Sequence, residues 1–254
     1  MKYFIPTSVP KTAITKVIEA LQPATTRMVG GVVRDIIINR PTTDVDLATT
    51  ATPEVVTERL EAVGIKVVPT GIDHGTVTAV VDDVPLEITT LRKDIKTDGR
   101  RAVVEYTENF EEDSNRRDFT FNALYMDMDG KVYDFHNGVR DLKNGVVEFI
   151  GDPAQRITED RLRILRYFRF LAGYASNRPS PQLLEILKGH SAYLPKLSAE
   201  RITHELLRLL TQSKPHMAWE IMEHHQILAP LNLGESRVGA LTSLVTMYPD
   251  FVKP

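Results

Sequence analysis

Gly30-Gly31-Val32-Val33-Arg34-Asp35, followed by Asp44-Val45-Asp46, sets a close-approach backbone turn just ahead of two carboxylates able to share a metal ion. In an extended strand the side chains alternate faces, so Asp44 and Asp46 point the same way with Val45 buried behind them. Two hard oxygen donors on one face suit Mg²⁺, which binds through one or two carboxylates plus substrate phosphates. The Gly30-Gly31 pair lets a ligand approach the backbone without a Cβ in the way. Val32 to Asn39 reads as a short helix, whose free N-terminal amides favour an anion. Together these predict a nucleoside triphosphate with its phosphates on the glycine turn and its metal on the aspartates. Each half alone is a common loop feature, so the reading depends on what surrounds it.

Outward from this stretch, Val63 to Thr70, Gly75 to Val81 and Val84 to Leu91 are β-branched runs separated by turn residues. Asp82-Asp83 joins the last two into an expected hairpin. Ile14, Val17, Ile18 and Leu21 recur at helical spacing. Pro53 to Leu60 reads as a helix with Thr52 at its N-cap and Pro53 at its first position. The first 150 residues are therefore mixed α and β. From about Gly151 the apolar residues recur at three and four and strand-like alternation largely disappears, which places a domain boundary there. The expected class is α+β: a head (1–150) with a mixed sheet, followed by an all-helical segment (151–254).

Glu87 is the one acid in the strand Val84 to Leu91. Beside the strand of Asp44 and Asp46 it would complete a three-carboxylate cluster able to hold two metal ions; otherwise it is a solvent-facing strand residue. Arg116-Arg117-Asp118-Phe119-Thr120-Phe121-Asn122 puts Asp118 and Asn122 four residues apart, at helix-neighbour spacing. Arg suits phosphate forks, and Asp and Asn suit a ribose hydroxyl, while the bland alternative is a helix start capped by Asp118. Between Leu91 and Asp118 the chain is polar and poorly periodic, with a basic half (Arg92, Lys93, Lys96, Arg100, Arg101) and an acidic half (Glu105, Glu108, Glu111, Glu112, Asp113). It reads as a lid over the nucleotide or as a solvated connector.

In Gly151 to Phe170 and just beyond, read at 100° per residue, Ile157, Ile164, Phe168, Leu171 and Ala172 form an apolar stripe. Arg156, Asp160, Arg163 and Arg166 cluster on the other side. Asp160 and Arg163 then lie one turn apart, able either to read a base edge or to pair as a surface salt bridge worth ~0.3 kcal/mol.

The composition narrows the classes. At 254 residues and 42% hydrophobic content, one or two cores are expected without staples. The absence of cysteine excludes disulfides, thiolate zinc sites and a Cys nucleophile, and fits a reducing cytoplasm. No apolar run approaches the ~20 residues of a bilayer span, and the N-terminus does not open like a signal peptide. A net charge of −3 carries no chain-wide basic excess, so nucleic acid would be met by local basic patches.

The order and wording of these motifs resemble class II tRNA nucleotidyltransferases, the family that also contains bacterial poly(A) polymerases. Gly-Gly-x-Val-Arg-Asp with Asp-x-Asp is similar to its catalytic signature, and Arg-Arg-Asp-Phe-Thr-x-Asn-Ala to its ribose motif. Glu159 to Arg163 is similar to its amino-acid template, and Leu197 to Ile202 to its helix-stabilising element, so the match runs over roughly residues 27 to 210. The resemblance implies a nucleotidyltransferase-fold head and a helical neck that reads the incoming base. It implies Asp44, Asp46 and Glu87 as catalytic carboxylates, with Asp44 and Asp46 as metal ligands for Mg²⁺. It further implies nucleotide binding by Gly30, Gly31, Arg34, Arg117, Asp118, Asn122, Asp160, Arg163 and Arg166, with Asp160 and Arg163 pairing with CTP or ATP. Gly151 to Arg156 resembles the family's hinge, and residues 92 to 115 its flexible loop. The expected reaction is attack by a tRNA 3′-hydroxyl on the α-phosphate with release of pyrophosphate. Family members usually carry a further helical body and tail that grip tRNA; a chain stopping at Pro254 covers head and neck and little else. Poly(A), CC-only or A-only addition are the near alternatives. A metal-dependent glycosyltransferase accounts for Asp-x-Asp but not for Gly-Gly-x-Val-Arg-Asp, and a non-catalytic RNA-binding module does not account for the carboxylates.

Overall fold

The structure, a computed structural model, describes residues 1–42, 44–72, 75–97 and 102–233, with residues 239 and 243. The chain divides after Arg140 into two compact units.

The first unit opens with α1 (Lys11–Ala20), which buries Ile14, Val17 and the following Leu21 and leaves Ile18 half-buried, as the helical spacing predicts. The chain continues through β1 (Thr26–Val29), α2 (Gly31–Ile37), β2 (Asp46–Thr49), α3 (Pro53–Ala62), β3 (Lys66–Gly71), β4 (Thr76–Val81) and β5 (Val84–Thr90). After these come β6 (Arg92–Thr97), β7 (Ala102–Tyr106), α4 (Phe110–Asn115), β8 (Leu124–Met126) and β9 (Val132–Asp134). Seven strands form one mixed sheet in the order β3-β4-β5-β2-β1-β8-β9, in which β2 and β5 run parallel and the other neighbours antiparallel. The helix α3 that separates β2 from the following hairpin supplies the crossover that a parallel pair requires. It packs on β3 and β4, while α2 packs on β1 and β8. The buried faces carry Met28, Leu47, Val77, Ala79, Leu86 and Ile88.

The expected hairpin forms: β4 and β5 pair around Asp82 and Asp83, both with positive φ (50° and 63°), the geometry of a tight turn that follows strand twist. Thr52 takes the N-cap position of α3 and Pro53 its first position as the sequence predicts, although the Thr52 side chain makes no capping bond. Two expectations need correction. The third strand starts at Lys66, not Val63, because α3 runs to Ala62 and is ended by Gly64 at φ +77°. The stretch from Arg92 to Asn115 is not an irregular loop, since β6 and β7 pair as a separate two-stranded sheet and α4 follows, capped by Asn109, which accepts from the Glu111 amide at 2.9 Å. Cross-strand pairing supplies the order that its mixed charges concealed. Arg100 and Arg101 of its basic half lie outside the described residues.

α5 (Gly138–Lys143) lies at the division, and the second unit then consists of α6 (Pro153–Glu159), α7 (Arg163–Tyr174), α8 (Pro181–Ser191), α9 (Ala199–Leu210) and α10 (Pro215–His224). Asp152 caps α6 by accepting from the Gln155 amide at 2.8 Å, with Pro153 at the first helical position. The run Gly151 to Phe170 is not one helix. Asp160 is extended (φ −148°, ψ 108°) and separates α6 from α7. The packing of α7 against α9 and α10 buries Ile164, Leu165, Phe168, Leu171, Leu206, Leu209, Ala218 and Met222. Among the described residues no helix is long and apolar enough to cross a membrane.

Candidate active site

Gly30 ends β1 at φ +71° and ψ −121°, a conformation that disfavours any side chain, and opens α2. Its amide donates to the Leu124 carbonyl at 3.0 Å, so the turn is tied to β8. With β3 and β4 between them in sequence, β2 and β5 are adjacent in space, and their parallel pairing sets Asp46 directly beside Glu87. Exposure alternates as the sequence predicts: Asp44, Asp46 and Glu87 face solvent, while Val45, Leu47, Leu86 and Ile88 are buried. Asp46 stays reachable from solvent yet is crowded by protein on its other sides, and its carboxyl is pushed up from the usual carboxylate range. Burial is the largest cause, the like charges of Glu87 and Asp44 add to it, and Arg117 opposes them. Among the described residues no three or more His, Cys, Asp or Glu side chains gather into a ready-made metal cage. The expected three-carboxylate cluster is therefore not gathered: the sheet holds Asp46 and Glu87 side by side, and Asp44 lies just before the strand.

Around the turn lies a buried polar relay. Arg34 donates from Nη1 to Asn122 Oδ1 at 2.8 Å, and Asn122 donates from Nδ2 to Asp118 Oδ1 at 3.0 Å. The same Asp118 oxygen accepts from the Phe119 amide at 2.9 Å. The four-residue spacing from Asp118 to Asn122 thus brings the two into contact, although only Thr120–Asn122 is helical, as a single 3-10 turn. Arg117 Nη1 reaches the Asn122 carbonyl at 3.5 Å and lies 3.7 Å from where a Cβ on Gly30 would sit. Gly30, Arg34, Arg117, Asp118 and Asn122 are one constellation, and Gly31 lies beside Arg34, whose Nη2 is 3.7 Å from the place of a Gly31 Cβ.

In the helical unit the break at Asp160 redirects the expected base-reading pair. Asp160 uses Oδ1 to accept from the Leu162 amide at 3.1 Å and Oδ2 to accept from Arg201 Nη2 at 2.9 Å. Arg163 donates from Nη1 to the Arg156 carbonyl at 2.7 Å and to Glu159 Oε2 at 2.8 Å. Asp160 and Arg163 meet through the backbone, the Arg163 amide donating to the Asp160 carbonyl at 3.1 Å. Arg166 faces Glu205 at 3.6 Å. Arg156, placed on the polar side by periodicity, is buried and pairs with Glu159.

Two family profiles match the chain. "Poly A polymerase head domain" covers residues 26–148, and "Probable RNA and SrmB- binding site of polymerase A" covers residues 178–233. The chain belongs to the CCA-adding enzyme and poly(A) polymerase head family. It is 44% identical to the human mitochondrial CCA tRNA nucleotidyltransferase 1 over 188 residues, 72% of this chain and 43% of the relative. It is 39% identical to the CCA-adding enzyme of Lactobacillus helveticus, over 78% of this chain and 49% of that one. Among solved structures it resembles the CCA-adding enzyme of Bacillus stearothermophilus in complex with CTP, with 30% identity and a TM-score of 0.75 over 85% of this chain and 52% of the other. The chain thus spans about half the length, or less, of the curated relatives it matches.

Seen as a member of this family, the head is a nucleotidyltransferase domain and the second unit its helical neck. Three residues of the two constellations escape a sequence reading. Asp113, counted there as one acid of a solvated run, is 1% exposed and binds Arg117; the signal was its place on α4, three and four residues before Arg116 and Arg117 just past the helix end. Arg201, quoted only as part of Leu197 to Ile202, is the partner of Asp160. Glu205, four residues further along α9, closes a buried ion pair with Arg169 at 2.9 Å, for which no local pattern existed.

Proposed function

We propose that the chain carries the nucleotide-transferring head and neck of a CCA-adding tRNA nucleotidyltransferase, extending tRNA 3′ ends with CTP and ATP and releasing pyrophosphate. The observation that carries this reading is the pairing of Asp46 with Glu87 on parallel strands, with the Asp46 carboxyl raised by burial and by its acidic neighbours. Such a set gains from a divalent cation, which removes the like-charge conflict, and its oxygen donors suit Mg²⁺ completed by substrate phosphates. Asp44 and Asp46, with Glu87, would hold it; when bound, Mg²⁺ neutralises the phosphates and lowers the pKa of the attacking hydroxyl.

The chain's own residues bind and orient. The Gly30 turn admits a phosphate to the backbone, and Arg117 brings a guanidinium to the same turn. The Arg34–Asn122–Asp118 relay fixes the amide and carboxylate that would meet the ribose. In the neck, Asp160 and Arg163 would read the base, exchanging their bonds to Arg201 and Glu159 for the edge of the nucleotide. Solved relatives are described with CTP and with a primer tRNA and an incoming ATP analog, which supports these substrates.

The test is to incubate the chain with tRNA lacking its 3′ end, Mg²⁺, and CTP or ATP separately and together, and to sequence the products. Terminal CCA is expected. A long A-tract would transfer the assignment to poly(A) synthesis, and absence of any incorporation would overturn it.

A further inference from the structure

Asp113 is almost wholly enclosed, and it divides its two oxygens between two sets of partners. Oδ2 accepts from Arg117 Nε at 3.2 Å, Arg117 Nη2 at 3.1 Å and the Tyr125 hydroxyl at 2.6 Å. Oδ1 accepts from Arg116 Nε at 2.8 Å and Nη2 at 2.7 Å, and from the amide of Arg92, the first residue of β6, at 3.2 Å. A carboxylate offers about four lone-pair sites, so these partners saturate it and leave it nothing to give a ligand. Its work is therefore done through Arg117. That side chain is gripped along one edge, through Nε and Nη2, while Nη1 points to the Asn122 carbonyl and the Gly30 turn. A guanidinium held on one edge keeps its fork direction fixed, so less freedom is lost when an anion docks at the turn. The Tyr125 ring, centred 5.3 Å from the Arg117 guanidinium carbon, adds a wall, and Phe110 packs edge-on against Tyr125 at 5.1 Å.

We propose that Asp113 is a positioning residue that locks Arg117 beside the Gly30 turn and ties that lock to the base of the β6–β7 hairpin, so that the triphosphate of an incoming nucleotide meets a preset guanidinium. The proposal rests on the nucleotide site assigned above. It makes Asp113 matter for nucleotide affinity without touching the nucleotide, and makes its effect vanish when Arg117 is already altered.

The test is a double-mutant cycle on equilibrium CTP binding, with Asp113→Asn, Arg117→Lys and the double variant, alongside the Arg Nε–Hε signals in ¹⁵N-correlated NMR spectra. Expected are CTP binding weakened about tenfold in Asp113→Asn, a loss no greater in the double variant than in Arg117→Lys alone, and disappearance of the Arg117 Nε–Hε signal. Tyr125→Phe, which removes one of the Oδ2 partners and keeps the ring, repeats the effect more weakly and serves if Asp113→Asn does not fold. CTP affinity unchanged in folded Asp113→Asn or Tyr125→Phe, or losses that simply add in the double variant, would overturn the proposal. Binding is read without transfer, so a chain that binds CTP but extends no tRNA would sink the CCA-adding assignment and leave the Arg117 lock standing.

Discussion

Asp46 and Glu87 of the head stand side by side on neighbouring strands, and among the described residues neither closes a salt bridge. Glu205 and Asp160 of the neck each close on a guanidinium, Glu205 on buried Arg169 and Asp160 on Arg201. Burying a charge is costly unless it is paired, so Glu205 with Arg169 is accounted for by the fold itself. Acids left in mutual repulsion are costly too, and a fold that keeps them there holds a site whose balancing charge arrives with a ligand. The difference separates acids that hold the structure from acids that await a partner.

The sharpest break of this contrast is Asp46→Ala. Nucleotide transfer should fall at least about a thousand-fold, because the several kcal/mol of charge stabilisation at the phosphates loses its anchor. The thermal midpoint should hold or rise, since one of two like charges is gone. Single-turnover incorporation and a thermal melt on the same preparation measure both, and near-normal incorporation would remove Asp46 from the site.

Glu205→Ala inverts that pattern. The side chains of Arg169 and Glu205 are 9% and 5% exposed, so the variant strands a guanidinium among apolar helices. A loss of about 3 kcal/mol in unfolding free energy is expected. Denaturant titration followed by the single tryptophan, Trp219 on α10, reports on the neck directly. A stability unchanged within error would show that Arg169 is satisfied in some other way.

How far this division could be read in advance depended on sequence distance. The shared face of Asp44, Asp46 and Glu87 was legible because period-2 alternation fixes which strand residues lie together, and the β4–β5 hairpin declared itself through Asp82-Asp83. The Asp118–Asn122 contact was legible from spacing, although a 3-10 turn and not an α-helix makes it. The break at Asp160 was not, because the apolar stripe of α6 and α7 continues through it and one extended residue leaves no mark on a 100° plot. Nor was the β6–β7 pairing, since the stretch is polar and poorly periodic and periodicity sees each strand alone. Arg169–Glu205 and Asp160–Arg201 join residues on different helices, and such pairs follow from packing, not from local pattern.

Asp113 stands between the two classes, an acid of the head that is paired like those of the neck. Burial alone would raise its carboxyl, but the guanidinium groups of Arg117 and Arg116 and the Tyr125 hydroxyl outweigh burial and hold it at about 2. The folded-state value lies below the unfolded one, so the unfolded chain binds the proton more readily as acid is added. The group then contributes about 2 kcal/mol of stability above pH ~4, lost as the pH falls toward 2. Unfolding free energies of the chain and of Asp113→Asn should therefore converge between pH 5 and pH ~2. Parallel curves over that window would mean that Asp113 is not ionised in its pocket.

The smallest effect expected is also the one that tests whether a paired neck acid can still serve a ligand. Asp160 is not buried like Glu205. Its side chain and that of Arg201 are 28% and 39% exposed, so their bond at 2.9 Å competes with water and is cheap to exchange. Its other oxygen is held by the Leu162 amide, which fixes the carboxylate at the start of α7 whether or not Arg201 is engaged. Asp160→Ala should therefore shift the ratio of CTP to ATP incorporation by about tenfold, the scale of one base-edge contact, while the faster of the two rates changes little. Arg201→Ala leaves the carboxylate in place, still held by the Leu162 amide, and should leave the ratio close to its original value. Competition between the two nucleotides on a tRNA ending in CC, read by product sequencing, gives the ratio directly. An unchanged ratio in Asp160→Ala would make its bonds to Arg201 and Leu162 its whole role, and the neck acids would then be structural throughout.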